Sequence, residues 1–318
     1  MTILKIKQWH INNQKLGFNN WSLVEKVSAG VIVSGLFLAH PLGGFVAGLL
    51  LPIIYPTTSK SLSRKKLKRF IKENKVSSYY QAKFDTERNV CGCEALARIT
   101  EGEVTIYPNE FIELALRTGQ IAEIDKLMLL NSIQDLKRWI EKGLVSKDFV
   151  LSFNVDRATL LNNRIVDDII SIIINCEVPA SMLEIEVTER TIDSDKIEDK
   201  QLVLSNIMRI KETTGIRLAI DDFTLGHSSA ETLLTLPVDT IKIDRFFVTI
   251  ENAAKFKFIK LISSFAVEMG CKTVLEGIET EEQHEHFSQI SINEFQGFLF
   301  HKPSNNSDFE KMLISKLQ

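Results

Sequence analysis

The sequence predicts an α/β protein, most simply a (β/α)8 barrel, on three observations. From Lys75 onward, short β-rich runs alternate with longer amphipathic ones, as a parallel sheet covered by helices requires. Five of the β-rich runs carry a polar or charged residue at or near their C-terminal end: Asn154, Glu186, the pair Asp221 and Asp222, Lys242, and Glu276. No glycine-rich phosphate loop or GxGxxG fingerprint opens any helical run, which argues against a doubly wound nucleotide-binding sheet.

The strands are read at VLSFNV (150–155), MLEIEV (182–187), IRLAID (216–221), DTIKID (239–244) and KTVLEG (272–277), apolar runs bounded by polar residues. Helical stretches are read at 111–116, 124–142, 164–176, 200–214 and 254–269. The 318 residues, 44% hydrophobic and 25% charged, have the composition of a folded chain. Cys91 and Cys93 lie two apart on a further strand and so share a face, where they pack as small core residues or meet a redox partner. With Cys176 and Cys271 they fit neither a disulfide framework nor paired zinc-binding CxxC elements, and a reducing compartment is expected.

Charge divides the chain unevenly. Residues 1–75 hold 12 Lys/Arg against Glu25 and Glu73, a balance of +10, whereas the remainder holds 26 against 39, a balance of −13. Four regions follow: a polar and basic segment 1–26, an apolar segment 27–56, a basic juxtamembrane linker 57–76 and the barrel domain 77–318. Residues 27–59 contain no charged side chain. As a helix, residues 27–55 would reach about 44 Å at about 1.5 Å per residue, more than the roughly 30 Å hydrocarbon core. His40-Pro41-Leu42-Gly43-Gly44 in the middle leaves two readings open, one kinked transmembrane span or a membrane hairpin. Lys60, Arg64, Lys65, Lys66, Lys68, Arg69, Lys72 and Lys75 follow at once, which places the C-terminal side in the cytoplasm. The expected location is a membrane with the barrel domain in the cytoplasm, the basic run meeting anionic headgroups. A buried hairpin in a soluble protein is the competing reading of the segment; no DNA partner is expected.

A buried strand gains nothing from a carboxylate unless the carboxylate binds something. Oxygen ligands without His or Cys favour Mg²⁺ or Mn²⁺ over zinc. Adjacent aspartates can bridge two such ions roughly 3.5–4 Å apart, an arrangement that hydrolyses phosphodiesters.

Six motifs then point one way: Glu94-Ala95-Leu96 with Arg98, Glu186-Val187-Thr188-Glu189, Asp221-Asp222-Phe223, LPVDTIKIDRFFV (236–248), Glu276-Gly277-Ile278-Glu279, and Gln296-Gly297-Phe298-Leu299-Phe300. From about residue 78 to the C-terminus the chain resembles the EAL-domain cyclic di-GMP phosphodiesterases. The resemblance implies a modified barrel whose first strand is antiparallel, hydrolysis of c-di-GMP to linear 5′-pGpG with a metal-activated water, and a homodimer through this domain. It implies Glu94, Asn154, Glu186 and Asp221 around one ion, and Asp221, Asp222 and Glu276 around a second. Lys242 and Gln296 would act on the attacking water, beside Glu94 and Glu276. Gln81, Leu96 and Arg98 would touch the nucleotide, while Glu189, Glu279 and Asp244 would brace the site.

Three departures from the family pattern stand out. Thr224-Leu225 replace Gly-Thr behind the aspartate pair, and Thr224 cannot readily hold a left-handed backbone. Val155-Asp156 follows Asn154 where serine is usual, and Ala82-Lys83 replaces Pro-Ile after Gln81; both are expected to be peripheral. The intact ligand set favours an active enzyme tethered to the bacterial inner membrane, its catalytic domain in the cytoplasm. The altered loop favours a weakly active or inactive receptor or protein-interaction module.

Overall fold

The computed structural model describes residues 62–192, 196–224 and 232–317. The apolar stretch 27–56 and Leu225 lie outside the described residues. Among the described residues no helix is long and apolar enough to cross a membrane.

The five strands read from sequence are all present within two residues of their expected ends, and three further barrel strands join them. The chain runs α1 (Arg64–Lys72), β1 (Val76–Asp85), β2 (Val90–Glu101), β3 (Val104–Ile106), α2 (Pro108–Thr118), α3 (Ile121–Glu141) and β4 (Val150–Asn154). It continues through α4 (Arg157–Leu160), α5 (Asn163–Asn175), β5 (Leu183–Thr188), α6 (Glu189–Ile192), α7 (Ile197–Thr214), β6 (Arg217–Phe223) and β7 (Thr240–Ile243). A 3₁₀ turn at Arg245–Phe247 leads to α8 (Ala253–Met269), β8 (Lys272–Leu275), α9 (Glu281–Phe287), β9 (Glu294–Gln296), β10 (Ser304–Asn305) and α10 (Asn306–Lys316).

Strands β2, β4, β5, β6, β7, β8 and β9 pair in parallel in that order. The barrel closes through β1, which is antiparallel to both β2 and β9. This is the modified eight-stranded barrel with a reversed first strand; β3 and β10 are short additions to β2 and β1.

Apolar periodicity places the helices. In α3, Ile121, Ile124, Met128, Leu129, Ile133, Leu136 and Trp139 share one face of the helix and are all buried. Each such side chain contributes about 1.5–3 kcal/mol relative to exposure. Trp139 packs edge-on against Tyr80 of β1, with ring centroids 4.8 Å apart, and its other side meets Phe309 of α10 at 5.0 Å. These contacts fasten the last helix to the first strand.

Residues 64–72 of the basic segment expected as a linker form helix α1. Ser63 Oγ caps it by accepting from Lys66 N at 3.2 Å, and Leu67 and Phe70 are completely buried. Lys66 and Arg69 pair with Glu101 at the end of β2, at 2.7 and 2.5 Å. This helix belongs to the barrel unit, which spans Ser61–Gln318. Cys93 is fully buried and Cys91 partly so, and burial pushes both thiols up, away from thiolate chemistry.

Candidate active site

Strand alternation sends every second side chain of a barrel strand inward. On β2 this turns Glu94 into the lumen, on β5 Glu184 and Glu186, on β7 Lys242, and on β1 Gln81 and Lys83. Asp221 and Asp222 are consecutive and on a regular strand would face opposite ways. The β6–β7 register shifts between Ile220 and Phe223, and Asp222 takes a left-handed backbone (φ 53°). The irregularity brings both carboxylates together with Glu276, their ligand oxygens lying within 4.8 Å of one another.

Lys242 is the centre of the site. Its ammonium is completely buried and lies 2.7 Å from Glu186 Oε2, 2.8 Å from Glu276 Oε1, 3.0 Å from Asp221 Oδ1 and 3.4 Å from Glu94 Oε2. Burial alone would lower its pKa; the surrounding Asp221, Glu186, Glu276 and Glu94 carry it well above the ordinary lysine value. Glu94 also accepts from Asn154 Nδ2 at 2.9 Å and Gln296 Nε2 at 2.8 Å, and Gln296 reaches Gln81 Oε1 at 3.2 Å. Gln81 in turn donates to the His301 carbonyl at 3.1 Å.

The carboxylates divide by environment. Burial raises Glu94, reinforced by Glu186 and Asp221, and burial with Asp221 and Glu94 nearby pushes Glu276 up to about 8. Burial also works against ionised Glu186, but the ammoniums of Lys242 and Lys83 outweigh it and hold this carboxyl down at about 2. Asp222 is raised by partial burial and by Asp221 and Asp244.

The remaining expected residues are arranged around this centre. Asp244 caps the 3₁₀ turn, accepting from Phe246 N at 2.8 Å, and stands beside Asp222. Glu279 is exposed at the rim and lines the same cavity as Glu94, Asp221, Glu276, Gln81 and Gln296. Glu189 opens α6. Leu96 and Arg98 do not line that cavity. Arg98 lies between the rings of Tyr79 and Tyr107, at 5.5 and 5.2 Å, with its Nη1 bound to the Ala97 carbonyl at 2.8 Å.

Four residues of the site were missed in the sequence. Arg245 and Phe298 line the cavity, and Gly277 (φ 76°) lets the chain pass Arg245, where a Cβ would stand 2.2 Å from the arginine Cβ. A cation directly after a strand-end aspartate was the available signal for Arg245. The fourth is a correction: Lys83, expected to be peripheral, is buried inside the barrel. Its Nζ donates to Ser152 Oγ at 2.8 Å and meets Glu186 Oε1 at 3.2 Å and Glu184 Oε1 at 3.4 Å. Glu184 and Glu186, two apart on a buried strand, were the signal that a second cation had to be near.

Divalent cations fit these residues. Glu94, Glu184, Glu186, Asp221 and Glu276 outnumber the lysines facing them, and Gln296 Oε1 is buried without a hydrogen-bond donor. An all-oxygen donor set with residual negative charge is the chemistry of a hard cation.

The fold, a (β/α)8 barrel with one reversed strand, and the site, an acidic, oxygen-lined mouth at the C-terminal strand ends, point to one class of protein. The chain belongs to the EAL domain family, which residues 64–303 match. It is 26% identical to the cyclic di-GMP phosphodiesterase PdeR of Escherichia coli K12, covering 77% of this chain and 36% of that protein. It is 29% identical to the bifunctional diguanylate cyclase/cyclic di-GMP phosphodiesterase MucR of Pseudomonas aeruginosa, covering 74% and 34%. The chain thus spans about a third of the length of these curated relatives. The solved structure of the PaMucR phosphodiesterase in complex with c-di-GMP matches with a TM-score of 0.69 and 26% identity, covering 77% of this chain and 98% of that one.

Proposed function

We propose that the chain is a membrane-tethered phosphodiesterase that hydrolyses c-di-GMP to linear 5′-pGpG. The observation that carries this is the buried Lys242 ammonium held among four carboxylates at the barrel mouth. Glu94, Asn154, Glu186 and Asp221 would hold one Mg²⁺ or Mn²⁺, and Asp221, Asp222 and Glu276 a second. Such ions supply Lewis acidity, lowering the pKa of water and offsetting charge on phosphoryl oxygens. In hydrolysis the water oxygen joins phosphorus, the P–O3′ bond breaks, and the 3′ oxygen ends protonated.

The protein's own residues prepare that step. Lys242 is fixed by its ion pairs where it would orient the nucleophile and stabilise negative charge developing on the phosphoryl group. Gln296, held through Glu94 and Gln81, would align the water. Arg98, held between Tyr79 and Tyr107 outside the cavity that Gln296 lines, would offer its remaining guanidinium donors to a phosphate or guanine. The uncharged segment 27–59 and the basic run after it support inner-membrane attachment with the barrel in the cytoplasm. The homodimer implied by the family resemblance belongs to the same reading.

Purified protein should convert c-di-GMP to pGpG with Mg²⁺ or Mn²⁺, and Glu94→Ala should abolish turnover. No turnover across metals and concentrations would defeat the proposal. Thr224 behind the aspartate pair favours a receptor as the second reading. It requires tight c-di-GMP binding in Ca²⁺ by titration calorimetry together with no hydrolysis in Mg²⁺.

A further inference from the structure

The proposed chemistry uses Lys242 and leaves Lys83 unused. Lys83 is 1% exposed, so its ammonium cannot turn out to solvent, and it approaches the site from the barrel floor. Both oxygens of Glu186 are taken by ammoniums: Oε1 by Lys83 at 3.2 Å and Oε2 by Lys242 at 2.7 Å. Lys83 touches none of the other expected ligands. Its remaining contacts are the neutral Ser152 Oγ at 2.8 Å and Glu184 Oε1 at 3.4 Å. Glu184 does not depend on Lys83, because its Oε2 accepts from Thr240 Oγ1 at 2.6 Å and faces Arg217 Nε at 3.5 Å. On Glu186 Oε1 Lys83 is the cationic partner, with the Ser152 hydroxyl as the neutral neighbour.

We propose that Lys83 is a positioning residue that sets the divalent-cation affinity of the site, anchoring Glu186 from below while opposing cation binding with a fixed internal positive charge. The inference rests on the reading of Glu186 as a metal ligand. Two consequences separate it from a purely structural salt bridge. Removing the charge weakens the metal-free barrel, since a buried carboxylate loses a partner. The same change tightens cation binding, because like charges in a low-dielectric interior repel at short range. A residue that only held the fold together would loosen the ligand set on removal and weaken binding.

The experiment is calorimetric titration of Mn²⁺ alone into full-length protein in detergent, with thermal melts in parallel. Lys83→Met and Lys83→Gln, the second keeping an N–H donor for Ser152, should each bind Mn²⁺ at least about tenfold more tightly than wild type. Their metal-free melting temperatures should fall, and Mn²⁺ should raise them more than it raises that of wild type. Lys83→Arg, which keeps the charge, should stay within about threefold of wild type. Unchanged or weaker Mn²⁺ binding in a folded neutral variant overturns the proposal while leaving the metal site intact. Absence of Mn²⁺ binding in wild type overturns the underlying site assignment as well.

Discussion

Asp125 on α3 shows how one carboxyl can give the fold a pH signature. It is buried, and its Oδ2 accepts from Thr159 Oγ1 at 2.6 Å and Asp156 N at 2.9 Å, joining α3 to the segment after β4. Burial pushes it up to about 7 despite those hydrogen bonds. The folded state therefore holds this proton more tightly than the unfolded chain, whose value is near 3.9. Its contribution is complete below about pH 4 and disappears as pH rises through 7, up to about 4 kcal/mol in all. Urea unfolding at pH 5 and pH 8 should show wild type losing stability relative to Asp125→Asn across that interval; a constant difference would refute the assignment. At this scale the sequence disclosed the residues whose presence at a strand end had no apolar explanation, Glu186, Asp221, Asp222 and Glu276 among them. Lys83 escaped because its cost appears only once Glu184 and Glu186 are known to face it. The bulge at Asp222 escaped because register is a property of two strands.

The loops that follow β8 and β9 are packed backbone to backbone. Ile278 N donates to the Gln296 carbonyl at 3.2 Å and Leu299 N to the Ile278 carbonyl at 3.0 Å, leaving no room for a side chain on Gly297. A Cβ there would lie 2.0 Å from the Ile278 carbonyl oxygen and 2.4 Å from its nitrogen. Gly297→Ala should cost about 1–3 kcal/mol, since neither contact is with a movable side chain. It should also reduce turnover, because Glu276 and Gln296 flank the displaced backbone; a variant with wild-type melting temperature and rate would show that the loops slide freely. Elements differ in legibility for a related reason. Strands β4 to β8 bury both faces and read as apolar runs. Strand β1 points Gln81 and Lys83 into a polar lumen, and β9 has three residues, so neither carries such a run.

The barrel gathers Glu94, Glu186, Asp221, Asp222 and Glu276 at one end, and this excess of carboxylates predicts that its stability responds to divalent cations. At a concentration of about 100 Kd, Mg²⁺ or Mn²⁺ should stabilise the fold by about 2.7 kcal/mol, roughly 5–10 °C in melting temperature for a domain of this size. Chelation should reverse the rise, and Glu94→Ala should blunt it; equal melting curves with and without metal would contradict a cation-binding mouth. Fold class was legible because the alternation of elements is repeated many times along the chain. Closure was legible through the family resemblance and not through the repeat, because it depends on the one strand that breaks the repeat. That reversed strand has a mechanical consequence. Val76 of β1 pairs with Ile99, beyond Glu94 along β2, so the chain joins the barrel at its open rim instead of its base. Only five residues, about 17 Å of strand, separate this joint from Gln81. Tension or torque carried through α1 into β1 would reach Gln81 and the carboxylates of the mouth before the barrel floor, so the strand that closes the barrel enters it at the end that holds the acidic side chains.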